Sequence, residues 1–278
     1  MANITAADVN SLRQKTGAGM MDCKNALTEA NGDFEKAVEI LRKKGQKIAD
    51  KRSDREANEG YVVAKIASDN KKGILIALNC ETDFVAKNDD FINLANQIAE
   101  AALTNNVSSI EELKSVENNG RTIENNIVDE MGKIGEKLEI TAFEVINSER
   151  VVAYNHPGNK LATLVGVNIS NGEVIEQVAK EVAMQVAAMN PVALDKDDVD
   201  SGTVEKELDI AKELARKEGK PEDMLEKIAM GKLNKFYKES TLLNQDFVRD
   251  GKKTVRQYLS EVDKDLKIEA FRRVGLGI

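Results

Sequence analysis

Apolar residues recur at helical spacing in three short groups within the first 46 residues. Thr5 precedes the first group and can cap a helix, TGAG (16–19) separates it from the second, and NGD (31–33) separates the second from the third. The apolar positions are Val9, Leu12, Cys23, Ala26, Leu27, Ala30, Phe34, Ala37, Val38 and Leu41. This pattern predicts a small bundle of three helices. The polar stretch at 45–60 lacks an apolar stripe and is interpreted as a linker.

From residue 60 the apolar pattern becomes typical of strands. GYVVAKIA (60–67) and GILIALNC (73–80) are strand-like and are separated by a polar turn. A helix is predicted next, and its apolar face is Phe91, Leu94, Ala95, Ile98, Ala99 and Ala102. A further helix over 122–137 and a strand over 138–146 complete this region.

The same order of elements then recurs. Residues 150–170 predict strand, turn and strand, and residues 174–189 predict a helix. If Asn79 is aligned with Asn168, Leu78 falls on Val167 and the two helical faces also correspond. We infer an internal duplication from this shared pattern.

The two copies differ in the connection between strand and helix. Eleven residues separate Asn79 from Phe91, but only six separate Asn168 from Ile175. The segment ETDFVAK (81–87) falls in the longer connection. Since the second copy joins the same elements without it, we expect that the scaffold does not need this segment.

The last part of the chain contains a charged insertion that is predicted to be helical. Residues 203–240 predict two antiparallel helices around GKP (219–221), followed by a short helix at 253–262 and a strand at 266–276. The predicted fold is therefore α+β: a three-helix unit, then a duplicated core of antiparallel strands packed with helices, with an inserted helical hairpin. We place the divisions at 1–55, 56–148 and 149–278.

Composition narrows the classes of function. The 278 residues carry a net charge of −8, but residues 1–55 hold 11 Lys or Arg against 8 Asp or Glu. The acidic remainder disfavours direct binding of nucleic acid. No apolar run is long enough for a membrane span, and the N-terminus lacks the features of a signal peptide, so we expect a cytoplasmic protein with reduced cysteines.

Motifs for catalysis are absent from the sequence. The single histidine, His156, lies in a predicted turn, YNHPG, and nothing places a nucleophile beside it. Neither a GxxxxGK[ST] loop nor a GxGxxG motif after a strand is present, and the Asp runs are typical of solvated surface. We therefore expect that the protein is not an enzyme and that it has no catalytic residue, no cofactor and no metal site.

Two apolar features remain unexplained by the predicted core. Met20 and Met21 begin a helix, where consecutive residues cannot face the same way, so at least one is expected to be exposed and suited to protein binding. Phe84 follows Asp83 in the longer connection. Two interpretations of Phe84 are open: it folds under its own loop, or it enters an apolar crevice of a partner.

Two segments resemble a known family. The family is bacterial translation elongation factor Ts, and the segments are TGAGMMDCKNALTEANGDFEKAVEILRKKG (16–45) and NCETDFVAKNDDF (79–91). The resemblance extends over essentially the whole chain. The resemblance implies a guanine-nucleotide exchange factor for elongation factor Tu. It also implies that the N-terminal helices form a ubiquitin-associated-like domain.

The resemblance implies roles for individual residues. Thr82, Asp83, Phe84 and Val85 would enter the GTPase domain of the partner and disturb its Mg²⁺ and phosphate site. Arg13, Met20 and Met21 would lie on a second contact with that domain, and the turn bearing His156 would touch another domain. For the helical hairpin the alternatives are self-association, contact with the partner, or projection into solvent.

Overall fold

The computed structural model describes residues 4–118, 120–170 and 172–277. Helices and antiparallel strands are mixed in it, which confirms the predicted α+β class. The helices are α1 (Ala6–Thr16), α2 (Met20–Glu29), α3 (Phe34–Arg52), α4 (Asp83–Ala86), α5 (Asp89–Thr104), α6 (Ile110–Ser115), α7 (Ile123–Ile134), α8 (Glu173–Met189), α9 (Ser201–Lys217), α10 (Leu225–Ser240) and α11 (Val255–Val262). The strands are β1 (Glu59–Ile66), β2 (Lys72–Cys80), β3 (Glu117–Asn118), β4 (Arg121–Thr122), β5 (Glu139–Asn147), β6 (Arg150–Asn155), β7 (Leu161–Val167), β8 (Asp246–Phe247), β9 (Asp250–Thr254) and β10 (Ile268–Gly275).

The first three helices form around the apolar positions that the sequence predicts. Thr5 and Asp8 make a reciprocal capping box at the start of α1, and Asp33 caps α3. Gly17 ends α1 with a φ of 69°, a left-handed conformation that costs glycine little. The buried centre of this cluster is Val9, Leu12, Ala18, Cys23, Ala26, Leu27, Ala30 and Ala37.

The prediction of a linker from residue 45 is wrong for its first half, because α3 continues to Arg52. Gly45 on α3 meets Gly132 on α7 so closely that a Cβ on Gly132 would lie 2.9 Å from the Gly45 Cα. The two glycines let the helix backbones touch, and Ala49 one turn later packs against the neighbouring core. Tertiary packing therefore extends the helix through a segment whose polar sequence does not predict one.

Two three-stranded antiparallel sheets form the centre of the molecule. Their orders are β1-β2-β5 and β6-β7-β10, so in each sheet the second strand of a hairpin lies in the middle. In each sheet one of the two outer strands carries a bulge. β5 has its bulge next to Leu78 of β2, and β10 has its bulge next to Val167 of β7. These are the two residues that the sequence alignment pairs.

The inner faces of the sheets pack against each other through a shared apolar cluster. A carbonyl in each hairpin turn also accepts a hydrogen bond from the other sheet. The Val62 amide donates to the Asn159 carbonyl at 2.7 Å, and the Val151 amide donates to the Asn70 carbonyl at 2.6 Å. Both asparagines have positive φ. The contact is therefore reciprocal, as in an interface with two-fold symmetry.

Helices cover the outer faces of the sheets. α5 packs on β1 and β2, and α8 packs on β6 and β7. The buried face of α5 includes the residues predicted from spacing: Phe91, Leu94, Ala95, Ile98, Ala99 and Ala102. The buried face of α8 includes the four residues that the alignment pairs with that face, Ile175, Val178, Ala179 and Val182, and also Ala183 and Val186.

The predicted hairpin is present as α9 and α10, which contact each other along buried Ala211, Ala215, Leu225, Ala229 and Leu233. The final predicted helix and strand correspond to α11 and β10. Several short elements escape the sequence pattern: α4, α6 and the two-stranded ribbons β3-β4 and β8-β9. Each has too few residues to show a periodicity.

Candidate functional site

Phe84 is the most exposed large apolar side chain in the part of the chain that the structure describes, with 82% of its surface open to solvent. The interpretation that it folds under its own loop is therefore wrong. An aromatic ring left in water gains nothing for its own fold, so such exposure is typical of a binding element.

A single helical turn presents the ring. Thr82 has an extended backbone and its hydroxyl accepts from the Val85 amide at 3.4 Å, which caps α4. Asn88 caps α5 directly afterwards. Within α4, Ala86 is buried and Val85 packs against the core of the first sheet, so Phe84 is left on the outer side.

The base of α4 is held by acidic side chains. The Glu136 carboxylate accepts the Thr82 amide at 3.0 Å and the Thr82 hydroxyl at 2.7 Å. One residue earlier, Glu81 accepts the Lys137 amide at 2.7 Å and the Arg52 guanidinium at 2.6 Å. The end of α3 and the segment before β5 therefore meet at the start of the connection.

Asp83 is paired within the loop. Its carboxylate lies 2.7 Å from the Lys87 ammonium one turn along, and the hydrogen bond and charge of Lys87 lower the pKa of Asp83. The charge of Lys160, in the turn between β6 and β7, acts in the same direction. Both members of the Asp83–Lys87 pair are solvent-exposed to a large degree, and such pairs contribute little, so Asp83 can exchange Lys87 for another cation at small cost.

Cys80 lies just below the same loop. Its thiol is buried and donates to the Thr82 carbonyl at 3.2 Å. Burial, followed by the nearby Glu136 charge, raises the pKa of Cys80 to about 12. A thiol kept neutral and hydrogen-bonded in this way supports the loop rather than acting as a nucleophile.

The turn between α1 and α2 approaches α4. Gly17 and Phe84 line the same open groove, whose floor includes Lys133 and Glu136. Met20 and Met21, three and four residues beyond Gly17, are both more than half exposed, which confirms that at least one Met is on the surface. Arg13 is also exposed on α1.

His156 lies apart from α4. It is exposed in the turn after β6, where the Tyr154 hydroxyl is 2.9 Å from its Nδ1 atom, and it lines a groove between β7, α8 and the β8-β9 ribbon. The other end of its turn is closer to the loop: Lys160 pairs with Glu59 on β1 at 2.8 Å. The structure thus gathers Thr82, Asp83, Phe84 and Val85 with the α1–α2 turn but leaves His156 on a second surface.

Sequence reasoning did not find Glu136, Glu81 or Arg52. Each reads as one more charge in a chain rich in Lys and Glu. Their importance to the loop depends on contacts between residues that are 29 to 56 positions apart in the chain, so no local signal could have identified them.

Three further observations concern the described ranges 4–118, 120–170 and 172–277. Cys23 and Cys80 are free and buried. Within those ranges no cluster of His, Cys, Asp or Glu could hold a metal ion. Nor does any helix there combine the length and the apolar character that crossing a membrane requires.

The chain is also similar to known proteins. Residues 81–278 match the family model described as Elongation factor TS. The chain is similar to elongation factor Ts of Christiangramia forsetii, with 54% identity and 100% of each chain covered. It is also 53% identical to elongation factor Ts of Amoebophilus asiaticus and 50% identical to that of Flavobacterium psychrophilum, with coverage of 99% or more in both cases. The chain therefore belongs to the elongation factor Ts family.

Proposed function

We propose that the protein is a guanine-nucleotide exchange factor for elongation factor Tu in cytoplasmic translation elongation. The observation that carries the proposal is the exposed Phe84 on a one-turn helix that is anchored at its base. Membership of the elongation factor Ts family supplies the identity of the partner. No step of the proposed mechanism needs a catalytic residue, a cofactor or a bound metal of this chain.

In this proposal Thr82, Asp83, Phe84 and Val85 enter the partner's GTPase domain beside its Mg²⁺ and phosphate site. The exposed ring fills an apolar crevice, and Asp83 leaves Lys87 for a group of the partner. GDP is held by a phosphate-binding loop of the partner, and Mg²⁺ balances the charges there. Displacing the groups around that ion therefore weakens the binding of GDP.

The energetics require more than the ring. Burial of a Phe side chain contributes about 1.5–3 kcal/mol. A shift of about 10⁴ in a two-state equilibrium needs about 5.5 kcal/mol of differential affinity. The remainder must come from loss of Mg²⁺ contacts and from other surfaces, for which Arg13, Met20 and Met21 on α1 and α2 and the turn bearing His156 are the candidates.

The proposed domain organisation follows the same lines. Residues 1–55 form the ubiquitin-associated-like unit with the start of the next connection, 56–148 form the first core half, and 149–278 form the second with its inserted hairpin. The reciprocal hydrogen bonds of Asn70 and Asn159 and the matching bulges support a duplication of the core. Self-association through α9 and α10 stays a prediction.

The test is release of a fluorescent GDP analogue from purified elongation factor Tu. Micromolar amounts of this protein should accelerate release by orders of magnitude, and an unchanged rate would refute the proposal. Coupling between ligands is reciprocal, so binding to the partner must also be weaker when GDP is present. A passive adaptor would instead bind equally well with and without GDP and would leave release unchanged.

A further inference from the structure

Residues 135–138, between α7 and β5, contact the start of α4 and are called the clamp. Glu136 in this segment holds residue 82 at two points, because one carboxylate oxygen accepts its amide and the other accepts its hydroxyl. The next backbone amide, that of Lys137, donates to the Glu81 side chain. Two successive residues of the clamp thus contact two successive residues of the connection.

α4 depends on contacts at its base. It has four residues, and one turn of helix is unstable without external support. Phe84 gives it no packing on the outer side, because the ring is exposed. Its first turn is capped by the same Thr82 hydroxyl that donates to Glu136. The direction in which Phe84 points is therefore set through Thr82.

A carboxylate is well suited to this task. An ionised acceptor makes hydrogen bonds that are shorter and roughly twice as strong as neutral ones, and its two oxygens match two donors of one residue. Glu136 is half-buried, so these bonds are partly shielded from water. The buried thiol of Cys80 adds a third contact, to the Thr82 carbonyl.

We propose that Glu136 is a positioning residue for nucleotide exchange: by fixing Thr82 it holds α4 so that Phe84 is already oriented for the partner. The inference rests on the proposed function. In this proposal Glu136 acts through Thr82 and does not itself contact the nucleotide. A loop held in its binding conformation avoids the ordering cost that a mobile loop would incur on association.

The first test compares Glu136→Ala with two conservative variants. At subsaturating concentration Glu136→Ala should slow GDP release from elongation factor Tu about tenfold, which corresponds to about 1.4 kcal/mol. Glu136→Gln should stay within about threefold, because an amide oxygen can accept the Thr82 amide while its NH₂ donates to the Thr82 hydroxyl. Glu136→Asp keeps the charge but is one methylene shorter, so it should be slow. A wild-type rate for Glu136→Asp would mean that charge, not position, matters and would overturn the proposal.

A double-mutant cycle asks whether Glu136 acts through the ring. In a Phe84→Ala background, Glu136→Ala should cost less than about twofold, because no ring remains to be oriented. An equal tenfold loss in both backgrounds would show an independent role and would refute positioning. The matched control is Glu144→Ala. Glu144 is another partly exposed carboxylate, it lies on β5 away from α4, and it pairs with Arg272 of β10 at 2.8 Å, so its loss should leave exchange unchanged.

A spectroscopic measurement separates positioning from stability. The sequence contains no Trp, so Phe84→Trp places a single Trp on α4, which can be excited selectively over the four tyrosines. Time-resolved anisotropy should show a larger fast component when Glu136→Ala is added, while the circular dichroism melting curve changes by no more than about 3 °C. An unchanged anisotropy decay would refute the clamp. If the wild type itself fails to accelerate GDP release, the proposed function fails; if it succeeds and the Glu136 variants match it, only this inference fails.

Discussion

The two halves of the core solve the same folding problem with different connections. In the first half, β2 leads to α5 through a segment that contains α4 and the exposed Phe84. In the second half, β7 leads to α8 with five fewer residues between the equivalent Asn and the first buried helical position. Sheet order, bulge position and helix packing are otherwise alike. The comparison indicates that the five additional residues serve something other than closure of the fold. Four predictions test the likeness of the two halves and this one difference between them.

The largest effect is expected where the two halves are alike. Phe91 and Ile175 occupy equivalent buried positions at the starts of α5 and α8. Phe91→Ala should lower the free energy of unfolding by about 3–5 kcal/mol and Ile175→Ala by about 2–5 kcal/mol, since each leaves a cavity. Urea denaturation measures both. A loss below about 1 kcal/mol at either position would contradict their shared role.

Deleting Asp83–Lys87 gives the first half the connection length of the second. GDP release from elongation factor Tu should fall at least about a hundredfold, or about 2.8 kcal/mol at 1.4 kcal/mol per tenfold. The melting temperature should fall by no more than about 5 °C, because the loss is confined to a surface connection and few buried atoms. Stopped-flow fluorescence and calorimetry test the two outcomes. Collapse of the fold would show that the segment is part of the scaffold after all.

Phe84→Ala makes the same chemical change as Phe91→Ala, seven residues earlier and on the surface. Exchange should slow by about 10- to 150-fold, the equivalent of about 1.5–3 kcal/mol of lost burial. The melting temperature should stay within about 2 °C of the wild type. Val174→Ala is the matched control, because Val174 is an exposed apolar residue at the start of α8 in the second half. If Val174→Ala slows exchange as much as Phe84→Ala, the asymmetry between the halves is not functional.

The smallest effect concerns the reciprocal turns. Asn70 and Asn159 have φ values of 58° and 51°, and each supplies its backbone carbonyl to the other sheet. Replacing either by Ala should cost about 1 kcal/mol, because a Cβ disfavours this left-handed conformation and Ala lacks the side chain that tolerates it. Replacement by Gly should cost much less. Thermal unfolding of the four variants measures these losses: the two Ala variants should lose equal stability if the two turns are equivalent, and unequal losses would contradict this.

The sequence determined the features that depend on local patterns. Helical spacing from Phe91 to Ala102 and from Ile175 to Val186 predicted α5 and α8, and alternating apolar runs predicted the strands, because periodicity records which face is buried. Thr5 and the NGD segment that ends at Asp33 predicted the starts of α1 and α3, because their side chains can cap a helix. The unequal connections after Asn79 and Asn168 distinguished the segment that contains Phe84.

Tertiary structure decided whatever depends on residues distant in the chain. Pattern alone could not say whether Phe84 is buried or exposed, because a lone aromatic residue in a polar loop has no period. Extension of α3 to Arg52 required Gly132 to lie opposite Gly45, and the hold of Glu136 on Thr82 required residues 54 positions apart to meet. A charged side chain looks the same in sequence whether it is solvated or anchors a loop. Only the pairing of β5 with β2, which brings the segment before β5 to the end of β2, makes Glu136 an anchor.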